Sequence, residues 1–283
     1  MTKNDIINLH SIRWVVALKE EAKTIIELYR MKIIDGRNLY PIYKNFDGTH
    51  WLIVSGMGKQ NAAAATAYLY SVSSASDSAS WINLGIAGCG IGKYGDLCLV
   101  DKISDNSLQN RYPITIPKIN LPRMALFTTD VPMNDYSSKE LIDMEGIAFY
   151  EIASKLTSNE FICLMKVISD GPQNNIKALN RTKIIALIDL NISDIKKIVS
   201  YYEKLSHFDF LKKRKPRLFD LLVSKWHFSV TQRHKLESLL RRVETFLPDN
   251  NVLEVLNDCK KASSVLSVLD LKIKKNEVDW SHS

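Results

Sequence analysis

Five carboxylates stand where apolar segments of this sequence change character. Glu20 and Glu21 follow the run IRWVVA within ALKEEA, Asp143 and Glu145 flank Met144 in LIDMEG, and Asp170 closes the run FICLMKVISD. Acids at such junctions can reach a bound molecule, and two or three together suit proton transfer or the stabilisation of positive charge. A plainer role exists for each, because an acid in the first turn of a helix complements the partial positive charge there. Glu145, at the head of the apolar pattern of Leu141, Ile142, Ala148, Phe149, Ile152 and Ala153, fits either role on sequence alone.

Glycine-rich turns accompany the acids. SGMGKQNAAAA places Gly56 and Gly58 ahead of an Ala-rich stretch, and NLGIAGCG holds Gly85, Gly88 and Gly90. Such turns are frequent between strands and helices for geometric reasons, and GMGK lacks both the spacing and the Ser/Thr of a phosphate-binding loop. ISDGPQNN leaves Ser169 and Asp170 at the end of their apolar run.

The elements that must carry these residues follow from hydrophobic patterning. Short apolar runs at 12–17, 51–55, 81–86, 96–100, 123–128 and 161–169 predict buried strands. Helical stretches at 19–31, 60–73 and 139–156 alternate with them, which predicts an α/β fold whose sheet is covered on both faces. Ligands of such sheets bind at the carboxyl ends of strands, where these acids and glycines fall. Beyond about residue 190 the strand signals stop. Helices are predicted over 192–205, capped by Asn191 or Ser193, and over 231–247, with Leu236, Leu239, Leu240, Val243 and Phe246 on one face. A third follows Pro248 and Asp249 and repeats Leu253, Leu256, Cys259 and Ala262. The division predicted is a domain of residues 1–206 and an all-helical extension of residues 207–283.

Composition sets outer limits. With 283 residues, 46% apolar and 24% charged, the chain can bury a substantial core and is not of a disordered type. The first residues, MTKNDIINLHSIRWVVAL, lack a signal peptide's apolar stretch, and no later run is long enough to span a bilayer, so a cytoplasmic protein is expected. Cys89, Cys98, Cys163 and Cys259 have no metal-site spacing and read as reduced thiols. His207, His227 and His234 lack the pairing of a helical zinc site, so no metal is expected, and no organic cofactor is called for. The net charge of +7 is uneven: 15 basic residues stand against 10 acidic ones from His207 onward, and 23 against 21 before it.

In their order along the chain, ALKEEA, SGMGKQNAA, NLGIAG followed by KYGDLCLVDKISD, DMEG and KVISD resemble the nucleoside phosphorylase superfamily, and within it the methylthioadenosine/S-adenosylhomocysteine nucleosidases. The resemblance spans roughly the first 170 to 205 residues. It implies a mixed central sheet flanked by helices and a small-molecule nucleoside as substrate. By the same resemblance Met144 and Glu145 are the ribose-binding pair, Asp170 the acid that protonates the purine, and Glu21 the base that activates water. It also places Ala87, Gly88, Met133 and Ser169 against the substrate, and implies a homodimer. Breaking an N-glycosidic bond builds positive charge on the sugar and negative charge on the leaving base, which suits this set of acids.

Phosphorylases of the superfamily usually carry an Arg ahead of the third-strand glycine turn; here Asn83 occupies that place, which favours water as nucleophile. Arg111 or Arg123 remains an alternative holder of phosphate. Pro132 stands where the family uses an aromatic residue near the purine, Lys166 where it usually has Arg, and the segment from Asp105 to Asp143 is shorter than usual. The run KKRKPR, residues 212 to 217, reads as a nucleic-acid contact or as a solvated face. A nucleosidase is expected, with a phosphorylase, or a non-catalytic nucleoside-binding protein with a docking extension, as the alternatives.

Overall fold

The computed structural model describes residues 12–276, apart from 35, 37, 108, 114–118, 134–135, 138, 175, 214 and 245–248. The chain divides into two compact units, with the boundary between Lys212 and Lys213. The first unit opens with β1 (Ile12–Val16), α1 (Lys19–Leu28), β2 (Lys32–Ile33), β3 (Ile42–Lys44), β4 (His50–Val54) and α2 (Lys59–Ser73). It continues through β5 (Ser80–Cys89), β6 (Leu97–Ser104), β7 (Arg123–Thr128), β8 (Leu141–Asp143) and α3 (Gly146–Leu156). β9 (Ile162–Asp170), α4 (Arg181–Leu190) and α5 (Ile192–Lys213) complete it.

One mixed sheet runs β2-β3-β4-β1-β5-β8-β7-β6-β9, and β9 also pairs with β5. Every residue of β1 is buried, because the strand is covered on both faces. Ile12, Trp14 and Val16 pack with Ala22 and Ile25 of α1, Leu187 and Ile188 of α4, and Ile198 and Tyr202 of α5. Val15 points the other way, to Ala65 and Leu69 of α2 and Phe149 and Ala153 of α3. The continuous apolar runs read from the sequence are the signature of this double burial.

β5 creates the feature on which the site depends. Along one edge it pairs with β9 from Trp81 to Gly88. Along the other it pairs with β1 only from Ser80 to Asn83 and with β8 only at Gly88 and Cys89. The sheet therefore forks. β5, β8, β7, β6 and β9 close on themselves as a small barrel while β1 leads away, and the β5 backbone between the two partners must find other hydrogen bonds.

Several expectations need correction. The stretch 139–156 is not one helix: Leu141–Asp143 is a strand paired with both β5 and β7, and the helix begins at Gly146. Asn191 does not cap α5 with its side chain, which donates to the carbonyls of Gly95 and Leu187. The helix through residue 206 runs on to Lys213, so the expected division point lies inside an unbroken helix. α4 and the short strands β2 and β3 went unread, the strands because two or three residues carry too little pattern.

The second unit contains α6 (Phe219–Lys225), α7 (Val230–Val243), α8 (Asp249–Val255) and α9 (Ala262–Asn276). Leu222, Leu236, Leu240, Val265 and Leu269 form the centre of its own core. Ser229 starts α7 with a reciprocal capping box, its hydroxyl accepting from the Gln232 amide while the Gln232 side chain accepts from the Ser229 amide. The helix expected through Leu253, Leu256, Cys259 and Ala262 is two helices with a turn between. A strict three-residue repeat drifts around an α-helix and cannot hold one face. Phe246 and Pro248 lie outside the described residues. Among the described residues no helix is long and apolar enough to cross a membrane.

Candidate active site

A cavity of about 150 Å³ lies at the fork. Its lining includes Glu21, Glu145 and Asp170 together with Met144, Ser169, Ala87, Gly88 and Met133, so every site residue expected from the sequence is brought to one place. Met57, Pro132 and Ile176 add apolar wall, and among the described lining residues none is basic.

Glu21 is buried, at 3% exposure, in the first turn of α1. Its Oε2 accepts from the Leu18 amide at 2.9 Å, the acidic half of a capping box, while Leu18 has no side-chain acceptor to return. Its Oε1 accepts at 2.9 Å from the Ile86 amide, one of the β5 groups left without a strand partner by the fork. Burial pushes this carboxyl up to about 7, against the pull of the Ile86 amide, the Lys166 charge and the Leu18 amide, with Glu145 adding to the rise. Neighbouring Glu20 takes no part and pairs with Arg181 at 3.2 Å.

Glu145 stands before α3 without capping it. Asp143 does that work: its Oδ2 accepts from the Gly146 amide at 2.8 Å, and its Oδ1 accepts from the Thr128 hydroxyl at 2.8 Å. Glu145 is thereby free to turn toward the cavity, where its Oε1 accepts at 2.7 Å from the amide of Gly58 at the head of α2. Gly58 holds φ at +97°, a conformation L side chains rarely adopt, which aims that amide across the site. Burial raises the Glu145 carboxyl and the Asp143 charge raises it further, opposed by Lys166 and the backbone amides. The small residue at 146 serves packing: a Cβ there would run into the Leu126 side chain and lie 3.0 Å from Asp143.

Lys166, from the middle of β9, reaches Asp143 at 2.7 Å with both side chains almost wholly buried. Burial opposes its charge, but Asp143, Glu145 and Glu21 together hold it above the ordinary lysine value. Burial is the main reason that Glu21 and Glu145 hold protons more tightly than ordinary carboxylates do; the neighbouring acid adds to it in each case and Lys166 opposes it.

Asp170 ends β9, buried at 4% exposure. Its Oδ1 accepts from the Ser169 hydroxyl, and its Oδ2 accepts from the Tyr136 hydroxyl at 2.5 Å. Gly88 makes room for both: a Cβ there would meet Asp170 Oδ2 at 2.7 Å and the Tyr136 ring at 2.8 Å. Asn83 is buried in β5 and donates to the Val15 carbonyl at 2.9 Å. Arg111 pairs with Glu151 at 3.1 Å, and neither it nor the exposed Arg123 is among the residues lining the cavity.

No protein-family model matches the sequence, and no curated protein matches it. Solved structures do. A 5'-methylthioadenosine nucleosidase from Arabidopsis thaliana superposes with a TM-score of 0.58 at 16% identity, covering 69% of this chain and 96% of that one. A 5'-methylthioadenosine/S-adenosylhomocysteine nucleosidase from Neisseria meningitidis, in complex with methylthio-immucillin-A, gives 0.54 at 17%, covering 67% and 99%. One from Colwellia psychrerythraea, in complex with adenine, gives 0.51 at 18%, covering 65% and 94%. The fold is that of these nucleosidase structures. Within this nucleosidase-like fold the sequence resemblance and the structural likeness converge on the same scaffold.

Sequence reasoning left three residues of this site without a role. Asp143 was visible in DMEG, but reading 141–143 as helix hid its task as cap. Lys166 was noted as a departure, and its burial among acids shows only in three dimensions. Tyr136 went unread: it follows TTDVPM in a segment without periodicity, and a lone aromatic there carries no signal. Among the described residues no group of His, Cys, Asp and Glu is arranged to hold a metal ion. Cys89, Cys98 and Cys163 are buried free thiols, and His207, His227 and His234 are exposed.

Proposed function

We propose that the protein hydrolyses the N-glycosidic bond of a purine nucleoside of the methylthioadenosine/S-adenosylhomocysteine type. The observation that carries this reading is the convergence of Glu21, Glu145 and Asp170 on one cavity with Met144 beside them. Glu145 is the partner for sugar hydroxyls, with Met144 against the sugar ring. As the bond to the base breaks, its electron pair leaves with the base and a proton passes from Asp170 to a base nitrogen. The positive charge growing on the sugar is met by the acidic surplus of Glu21 and Glu145. Water then adds to the sugar carbon and gives its proton to Glu21, whose carboxyl near 7 suits a base at neutral pH.

Hydrolysis rather than phosphorolysis is favoured by charge. A phosphate nucleophile needs cations, whereas the described lining is acidic and Lys166 is engaged by Asp143. Asn83, at the position of the phosphorylases' Arg, is committed to the Val15 carbonyl.

Chromatography of free base tests the reading, with methylthioadenosine, S-adenosylhomocysteine, adenosine, inosine and futalosine each incubated with and without phosphate. Release independent of phosphate is expected, and release only with phosphate would establish a phosphorylase instead.

A further inference from the structure

Asp170 is held by two neutral hydroxyls, one on each oxygen, and only one of them comes from its own strand. Ser169 is its chain neighbour. Tyr136 lies 34 residues away, between β7 and β8, and reaches Oδ2 at 2.5 Å. The ring edge lies over Gly88, where any side chain would collide with both partners. Packing against Gly88 and the bond to Asp170 therefore fix the phenol at one place on the carboxyl group.

We infer that Tyr136 is a positioning residue for Asp170, acting in the bond-breaking step. The inference rests on the reading of Asp170 as the acid. In that step the Asp170 proton moves to the leaving base, the pair from the broken bond stays with the base, and Asp170 becomes a carboxylate. Tyr136 keeps its own proton and donates a hydrogen bond to the charge that appears on Oδ2. A donor to a charged oxygen is worth more than the same donor to a neutral carboxyl group, so the bond strengthens as the proton leaves. The contribution falls on the transition state and hence on kcat rather than KM. The hydroxyl also fixes the plane of the carboxyl group, leaving its remaining lone-pair positions for the base.

Tyr136→Phe keeps the ring over Gly88 and removes only the donor. Against whichever nucleoside the wild type cleaves, kcat should fall about 10-fold to 100-fold with KM within about twofold, the size expected for a hydrogen bond to a charged group. 4-Nitrophenyl β-riboside supplies the control, since its leaving group departs without a proton; there Tyr136→Phe should stay within about threefold of wild type. Wild-type kcat in Tyr136→Phe, or an equal loss on both substrates, overturns the inference while leaving the nucleosidase reading intact. A wild-type protein that releases no base from any purine nucleoside removes both.

Discussion

Glu21 is where single-residue physics bears most directly on chemistry. Two backbone amides anchor its carboxylate, yet its burial beside Glu145 outweighs them and lifts it to about 7. A base must be ionised to accept a proton, so a raised value means that activity is lost as pH falls through about 7 and is complete above it. We predict that kcat/KM for base release rises between pH 6 and 8 with a midpoint near 7 and that Glu21→Gln removes the activity. A limb near the ordinary glutamate value, about 4.5, would show that another group limits the reaction.

At the scale of elements, the fork along β5 assembles the site. β1 delivers Glu21 through the turn into α1, β8 delivers Met144 and Glu145, and β9 delivers Ser169 and Asp170. The pairing of β5 with β9 slips between Ala87 and Gly88, the point at which β8 takes over the other edge. Gly88→Ala puts a Cβ 2.7 Å from Asp170 Oδ2, so we predict a cost of about 1–3 kcal/mol in denaturant unfolding and a loss of base release exceeding 10-fold. Full activity in that variant would show that the close contact is not needed. The long strands and the acids at their ends were legible in the sequence, because double burial writes continuous apolar runs and ligand sites follow strand ends. The split of 139–156 was not legible. A three-residue strand has no periodicity of its own, and Leu141 and Ile142 fit a helical stripe as readily as a strand; only pairing with β5 and β7 distinguishes them. The Tyr136 contact depends likewise on tertiary approach and leaves no trace in spacing.

For the whole molecule, each unit has its own core. Unit 1 buries Ile198, Val199 and Tyr202 of α5, so the sequence-based limit at 206 would cut a helix that this core uses. Unit 2 has the separate cluster around Leu222, Leu236 and Val265 and carries most of the basic excess. All described residues lining the cavity belong to unit 1. A chain ending after Lys213 should therefore keep base release within about threefold of the full protein, as measured by kcat/KM, because an independent core does not need the other unit to fold. Loss of activity with secondary structure intact would assign the extension a direct part in the reaction.

The central claim is that three buried acids at one fork cleave a nucleoside with water, and phosphate-free base release by the wild type and by Glu145→Gln tests it most directly. The account predicts free base from at least one purine nucleoside with the wild type, and a rate lower by about 10²-fold or more with Glu145→Gln, because the acid facing the developing sugar charge has been neutralised. Equal release by the two proteins, or none by the folded wild type, would contradict it.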